Sequence, residues 1–192
     1  VMEEIVSVLA VGALIPLIAI AIQVFVLDKV SGHVKKELVL KDPKGKKLSI
    51  EVNADVTDEY IRKLLESELN YEALVKKSIK KYMDSNKSLK LNLLEGKNID
   101  FLLENESTKI GIEAKSNIDH FKPQWLSKYF YENSDIDELI FIANSNISEA
   151  LVNEYQKVSK DYKLKLISSP KGRNLTKSIA NVLNPEFHKS TS

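Results

Sequence analysis

The chain has 192 residues, of which 43% are hydrophobic and 29% are charged, as is typical of folded proteins and not of disordered ones. It contains no cysteine, which excludes disulfide bonds and thiolate metal sites within it. The formal net charge is +1, and residues 28–192 carry 28 basic against 25 acidic side chains. The bias toward polyanionic partners is therefore mild.

The first predicted element is an apolar segment from Ile5 to Leu27 that contains no charged residue. As a helix, a stretch of roughly 20 apolar residues crosses a bilayer core, and Pro16 is tolerated there. A cleaved signal peptide and a buried core helix are the alternatives. A signal peptide would begin with basic residues and end at a small-residue cleavage site. We therefore expect a single transmembrane helix within residues 1–28, in contact with the membrane through residues 5–27.

Basic residues then follow closely, and they predict the orientation of this helix. Lysine and arginine concentrate on the cytoplasmic side of membrane spans. We expect a single-pass protein of the plasma or inner membrane, with its C-terminal domain in the cytoplasm. The basic residues are Lys29, Lys35, Lys36, Lys41, Lys44, Lys46 and Lys47.

Residues 29–69 are predicted to form a linker with a β-hairpin and a helix. The stretch "ELVLKDPKGKKLSIEV" has alternating apolar residues on both sides of a proline- and glycine-containing turn. Thr57 is a suitable helix N-cap, and it is followed by a stripe of apolar residues at helical spacing. The stripe shifts phase near Asn70, where the main domain is predicted to begin.

Residues 70–184 contain a regular alternation of elements that predicts an α/β domain with a mixed sheet flanked by helices. The stretch "DELIFIAN" is apolar enough to be buried on both faces of that sheet. Residues 185–192 are predicted to be a flexible tail. Helices are expected at 71–83, 123–132, 148–160 and 174–183, and strands at 89–95, 98–104, 109–116, 137–144 and 163–169.

Charged residues interrupt the apolar hairpin "NIDFLLENESTKIGIEAKSN", which spans residues 98–117. If "NEST" is the connection, strand alternation places Asp100 directly opposite Glu113, with Lys115 two residues along on the same face. Opposed like charges destabilise a sheet, but a divalent cation between them would make a binding site. Lys115 would then lie where it can stabilise developing charge or orient an attacking water.

Asp100 followed by Glu113-Ala114-Lys115, on the second and third strands after a helix, resembles the PD-(D/E)xK nuclease superfamily. The resemblance covers roughly residues 70–170 and implies a restriction-endonuclease-like fold with an αβββαβ core. It implies that Asp100, Glu113 and the Ala114 carbonyl bind Mg²⁺, with Mn²⁺ as the alternative, and that Lys115 assists the water nucleophile. Ile99 stands where the family pattern has proline.

Two further residues match catalytic positions of that family. By the resemblance, Glu72 in the preceding helix acts through a water, and Gln124 lies near the scissile phosphate. Each has a structural alternative. Glu72 can instead complement the helix dipole, and Gln124 can be a surface residue. In the same way, Lys115 can merely neutralise Glu113 at a strand end.

Together these features predict a membrane-anchored, Mg²⁺-dependent endonuclease that hydrolyses phosphodiester bonds. DNA is favoured over RNA, and defence against foreign nucleic acid such as phage is the expected setting, with further copies of the chain or a partner protein. One alternative is an inactive nuclease fold that binds nucleic acid or assembles at the membrane. Another is a structural membrane protein that mediates oligomerisation. Cleavage with Mg²⁺ against a chelator control discriminates among them.

Overall fold

The structure is a computed structural model that describes residues 5–10, 19–30, 33–41, 47–52, 58–96, 99–118, 123, 126–159 and 163–188. The chain divides into two compact units. The first comprises residues 1–66 with 119–121, and the second comprises residues 67–118 with 122–192. The boundary lies close to Asn70, where the sequence predicts that the main domain begins.

The first unit contains a four-stranded antiparallel sheet in which the strands follow chain order. These strands are β1 (Ile5–Ala10), β2 (Ala19–Val30), β3 (His33–Lys41) and β4 (Lys47–Val52). The predicted hairpin is confirmed, because β3 pairs with β4 and Lys41 lies opposite Lys47. Its predicted turn lies outside the described residues.

The apolar segment differs from its prediction. Where residues 5–27 were expected to form one helix, the parts that the structure describes lie in β1 and β2. Valine and isoleucine, which are abundant there, favour strands because their branched side chains suit a pleated surface. Among the described residues, no helix is both long and apolar enough to cross a bilayer.

A single helix, α1 (Asp58–Ser85), replaces the two helices or bent helix that the sequence predicts. It continues through residue 70 because its buried positions stay on one face. Tyr71, Val75, Ile79 and Tyr82 are spaced four, four and three residues apart and are all at most 3% exposed. This stripe packs in the core of the second unit.

The second unit is an α/β structure around a mixed five-stranded sheet, as predicted. The strands lie in chain order, the first three antiparallel and the last three parallel. They are β5 (Asn92–Glu95), β6 (Phe101–Glu104), β7 (Lys109–Lys115), β8 (Glu138–Ala143) and β9 (Leu164–Ser168). The accompanying helices are α2 (Leu126–Glu132), α3 (Glu149–Val158) and α4 (Leu175–His188).

Several local predictions are confirmed. In the β6–β7 hairpin, Glu104 pairs with Lys109 and Leu102 with Gly111, which is the predicted register. Every residue of β8 is buried, as its continuous apolar sequence indicates. The helix expected at 148–160 is found as α3, and Ser148 caps it by accepting a hydrogen bond of 3.2 Å from the Leu151 N–H.

The C-terminal helix is longer than predicted. It continues through Pro185 to His188, so the first four residues of the predicted flexible tail are helical. Phe187 explains the extension, because its side chain is fully buried in the core and holds the last turn in place. Residues 189–192 lie outside the described residues.

The parallel strands bring their carboxyl ends to one edge of the sheet. Backbone hydrogen bonds of 2.9 Å join Asn144 N–H to the Lys115 carbonyl and Ser169 N–H to the Ala143 carbonyl. The last residues of β7 and β8 therefore lie side by side. Lys115 ends β7, so the predicted catalytic residues of this strand lie at this edge.

A pH-dependent contact lies at the opposite edge, where β8 begins. Glu138 is 2% exposed and lies 3.1 Å from the Lys165 ammonium, which also pairs with Glu186 at 2.8 Å. Burial raises the pKa of Glu138, against the opposing effect of Lys165. The folded protein therefore holds the Glu138 proton more tightly than the unfolded chain does.

We predict that Glu138→Gln flattens the stability profile in this pH range. With a raised carboxyl pKa, the contribution of Glu138 to the stability of the parent is largest below the ordinary value of about 4.5 and is lost as pH rises through the folded pKa. Urea unfolding at a series of pH values checks this, with Glu154→Gln, a change of an exposed carboxylate on α3, as the control. An unchanged slope in Glu138→Gln would contradict the assignment.

Candidate active site

Three ionisable side chains lie buried together where β6 begins and β7 ends. Asp100 is 6% exposed, Glu113 is fully buried and Lys115 is 2% exposed. Such residues are almost never fully buried unless they are paired. Here they form a connected group, which we call the site cluster.

Asp100 is fixed by the backbone of the neighbouring strand. The Ala114 N–H donates a 2.7 Å hydrogen bond to Asp100 Oδ2. In a strand, the N–H and C=O of one residue point to the same side, as the paired bonds of antiparallel ladders require. The Ala114 carbonyl therefore lies on the Asp100 side of β7. A carboxylate and a carbonyl, both hard oxygen donors, meet at this point.

Glu113 connects the other two members of the site cluster. Its Oε2 accepts a 3.2 Å hydrogen bond from the Asp100 N–H, and its Oε1 lies 2.5 Å from Lys115 Nζ. Strand alternation places Glu113 and Lys115 on the same face of β7, as predicted. The predicted proximity of Asp100 to Glu113 is likewise found, since the pairing of Phe101 with Ile112 puts them at the next position of the register.

The two carboxylates are accommodated by backbone donors. Each of them accepts a main-chain N–H from the opposite strand. Hydrogen bonds to the charged form of a carboxylate stabilise that form and offset repulsion between neighbouring acids. The sequence predicts the opposed charges correctly, but it does not predict the backbone contacts that make their burial tolerable.

Ile99, which stands where the PD-(D/E)xK pattern has proline, anchors the start of this hairpin. It is 1% exposed, and the chain bends at Ile99 and Asp100 before β6 begins. A Cβ atom on Gly111 would lie 2.4 Å from Ile99 Cδ1, so the isoleucine covers the space that glycine leaves. Two-residue alternation would place the Ile99 side chain on the same face as Phe101, but it lies on the other face, against Gly111. It can do so because the chain bends before β6 begins.

A glutamate that the sequence analysis missed contacts the end of β7. Glu68 of α1 is 4% exposed and accepts two hydrogen bonds from Ser116, from the N–H at 2.9 Å and from Oγ at 2.8 Å. It fixes the backbone directly after Lys115. Its position carries a sequence signal, because Glu68 falls three residues after Leu65 and three before Tyr71, within the buried stripe of α1.

The remaining predicted residues have different outcomes. Glu72 lies one turn beyond Glu68 on α1 and is half-buried, and its catalytic role stays a prediction. Gln124 lies outside the described residues. Tyr71 is buried close to Glu68, and burial, together with the charge of Glu68, raises the pKa of its hydroxyl so that it stays protonated.

The residues present fit a hard divalent cation. Mg²⁺ is commonly bound through one or two carboxylates, with water and substrate phosphate oxygens completing its shell. Asp100, Glu113 and the Ala114 carbonyl are donors of this type. With Lys115 and Glu68 included, the four side chains carry a formal net charge of −2, which a divalent cation would balance. In the described part of the chain, no three His, Cys, Asp or Glu side chains are close enough to form a metal site by themselves.

Comparison with known proteins gives no match, whether against protein-family models, curated proteins or solved structures.

We predict that Glu68→Ala destabilises the second unit by about 1–3 kcal/mol, because it leaves the buried Ser116 N–H without an acceptor. Glu68→Gln should cost less, since its amide oxygen can still accept one of the two bonds. Urea unfolding measures both. Glu72→Ala is the matched control on the same helix, and a larger loss for Glu72→Ala than for Glu68→Ala would contradict the assignment.

Proposed function

We propose that this chain is a divalent-metal-dependent nuclease that hydrolyses phosphodiester bonds, of DNA in preference to RNA. The observation that carries the proposal is the site cluster. It consists of a carboxylate fixed by Ala114 and a buried Glu113–Lys115 pair, at the edge where two strands of a mixed sheet separate. The resemblance of these residues to the PD-(D/E)xK pattern, and the order of the elements around them, support the same reaction.

Asp100, Glu113 and the Ala114 carbonyl would hold Mg²⁺, with Mn²⁺ as the alternative. When bound, such a cation lowers the pKa of a coordinated water and neutralises charge on the phosphate. The contribution of the chain itself is to fix the positions of the two carboxylates. The backbone bond from Ala114 fixes Asp100, and the two contacts of Glu113 fix its carboxylate. Because its side chains are at most 6% exposed, the charges of the site cluster act in a low dielectric and need little reorganisation.

Lys115 would act on the reacting atoms. In hydrolysis the water oxygen bonds to phosphorus, the bond from phosphorus to the leaving oxygen breaks, and a proton passes from the water to the leaving group. The Lys115 ammonium can donate a hydrogen bond to the attacking water or to a phosphate oxygen that gains charge. Its contact with Glu113 keeps it at the site, and the bonds from Ser116 to Glu68 hold the adjacent backbone.

The fold and the location follow as parts of the same proposal. A restriction-endonuclease-like fold agrees with a sheet whose first three strands are antiparallel and last three parallel. Membrane attachment through residues 5–27 rests on the charge-free sequence of that segment, and action on incoming foreign nucleic acid fits such a location. A noncatalytic nucleic-acid-binding role is the alternative that the test below separates.

We predict that Asp100→Asn abolishes Mg²⁺-dependent cleavage while preserving the fold. The asparagine oxygen can still accept the Ala114 N–H, so the free energy of unfolding without metal should stay within about 1 kcal/mol of the parent. Cleavage of a plasmid or labelled oligonucleotide should fall at least ~10²-fold, the scale of one lost transition-state contact. Asp84→Asn, an exposed change on α1, is the control.

Lys115 completes this test but needs a compensated variant. Lys115→Ala removes the ammonium beside the buried Glu113, and breaking a buried pair costs about 3–5 kcal/mol. The double variant Glu113→Gln/Lys115→Met removes both charges at similar volume and should stay folded yet inactive. Full cleavage by this variant or by Asp100→Asn would overturn the proposed site. A parent that binds nucleic acid but never cleaves it with Mg²⁺ or Mn²⁺ would establish the noncatalytic alternative.

Location is tested separately. With lysines following the apolar segment, we predict that the full chain sediments with membranes and resists extraction by alkaline carbonate. A reporter that is active only outside the cytoplasm, fused after Ser192, should be silent. Strong reporter activity would reverse the orientation, and a fully extractable chain would refute membrane insertion.

A further inference from the structure

A basic cleft lies in the second unit between α1 and the start of α4. Its volume is about 440 Å³, and its walls carry Lys77 and Lys81 from α1 and Lys177 from α4. All three lysines are exposed. Of the described residues that line the cleft, none is acidic and none is aromatic. Three positive charges therefore face one open space, in a chain whose net charge is only +1.

The first turn of α4 adds backbone donors to the cleft. The first helical hydrogen bond runs from Ser178 N–H to the Asn174 carbonyl at 2.9 Å. The preceding amides, at Leu175, Thr176 and Lys177, have no partner within the helix, and these residues line the cleft. Such amides, with the positive end of the helix dipole, favour phosphate and other anions.

A serine hydroxyl adds a further polar group to the cleft. Ser78 lies between the two lysines of α1, lines the cleft and is only 6% exposed. Its hydroxyl can donate a hydrogen bond to a phosphate oxygen in the cleft.

Gly172 and Leu74 line the cleft at the turn that leads into α4. Gly172 has φ of +65°, and a Cβ atom there would lie 2.5 Å from Leu74 Cδ2. A side chain at this position would be strained by the positive φ and would require the partly exposed Leu74 side chain to shift. The tight turn that results places the start of α4 beside the lysines.

We propose that this cleft binds the phosphate backbone of nucleic acid, as a contact separate from the site cluster. The proposal rests on the nuclease function and names the second place where its substrate is held. Lysines, helix amides and a hydroxyl recognise phosphate, whereas the absence of an aromatic among the described lining residues leaves no platform for stacking a base. The cleft therefore increases affinity without reading sequence.

Helix geometry relates the cleft to the site cluster. Lys77 follows Glu68 by nine residues, which is about 14 Å along α1 at 1.5 Å per residue. At 3.6 residues per turn the two side chains also lie about half a turn apart around the helix. A nucleic acid that contacts both places must therefore pass around α1 as well as along it.

The test measures binding without cleavage. The full chain is titrated with a fluorescently labelled oligonucleotide in EDTA, by anisotropy, at several salt concentrations. Lys77→Ala/Lys81→Ala/Lys177→Ala should weaken binding at least tenfold and lower the slope of log K against log salt by about 2–3, because each lost phosphate contact removes about 0.7–0.9. Lys87→Ala/Lys157→Ala/Lys163→Ala, with the same loss of charge elsewhere, should change both quantities little.

Other occupants give distinguishable results. Unchanged oligonucleotide binding in the cleft variant, or equal weakening in both triple variants, overturns the proposal. So does displacement of the oligonucleotide by micromolar mononucleotide or inorganic phosphate, or a selective loss of binding to anionic lipid vesicles. If oligonucleotide binding depends on the cleft lysines but the chain never cleaves, the proposed nuclease function is refuted and the binding role of the cleft stands. If the chain cleaves and cleavage does not depend on the cleft lysines, the nuclease function stands and the binding role of the cleft is refuted.

Discussion

The arrangement of the site depends on one hydrogen bond, from the Ala114 N–H to the carboxylate of Asp100. At this position an ordinary antiparallel ladder would give the amide a backbone carbonyl as its acceptor. A side chain takes that place instead, just where β6 begins. Because the side chain replaces the backbone acceptor, the pairing of β6 with β7 ends here and the Asp100 carboxylate faces the Ala114 backbone. The same hydrogen bond therefore marks the separation of the two strands and fixes the position of the acid.

The burial of Glu113 and Lys115 costs folding free energy but strengthens the electrostatic effect of both charges. Glu113 and Lys115 are fully covered, so neither charge is compensated by water. Removing ions from water costs several kcal/mol each, and a buried pair regains this only when its hydrogen bonds are complete. The same low dielectric that imposes this cost strengthens the action of each charge on a reacting phosphate. Stability and reactivity therefore depend on the same contacts, and the bonds between Glu68 and Ser116 support both by fixing the strand end.

How far the sequence predicts this structure depends on whether a feature is set by local pattern or by distant contacts. The β6–β7 register followed from two-residue alternation and a four-residue connection, so the neighbouring positions of Asp100 and Glu113 were predictable. Glu68 was missed because its acceptor role depends on Ser116, 48 residues away, although its place in a buried stripe was visible. The end of α4 was missed because Pro185 suggests a stop, whereas burial of Phe187 outweighs it. In the apolar segment, length and lack of charge predicted a helix, but β-branched residues also suit the strands that form there.

The proposed action on a polyanion, by a chain of nearly zero net charge, depends on the contrast between buried and exposed lysines. Lys115 is 2% exposed and paired, so it contributes little to long-range attraction. Long-range attraction requires charges in contact with solvent, and salt screens them beyond about 10 Å at 0.1 M ionic strength. Only a local concentration of exposed lysines can provide it against 27 acidic residues in the whole chain. The cleft between α1 and α4 has that character, whereas the site cluster is negative and, in the proposed function, requires a cation before it can accept phosphate. The proposed nuclease would thus bind its substrate at the cleft and cleave it at the site cluster. Helix α1 contributes to both places, with Glu68 beside the site cluster and with Lys77 and Lys81 in the cleft.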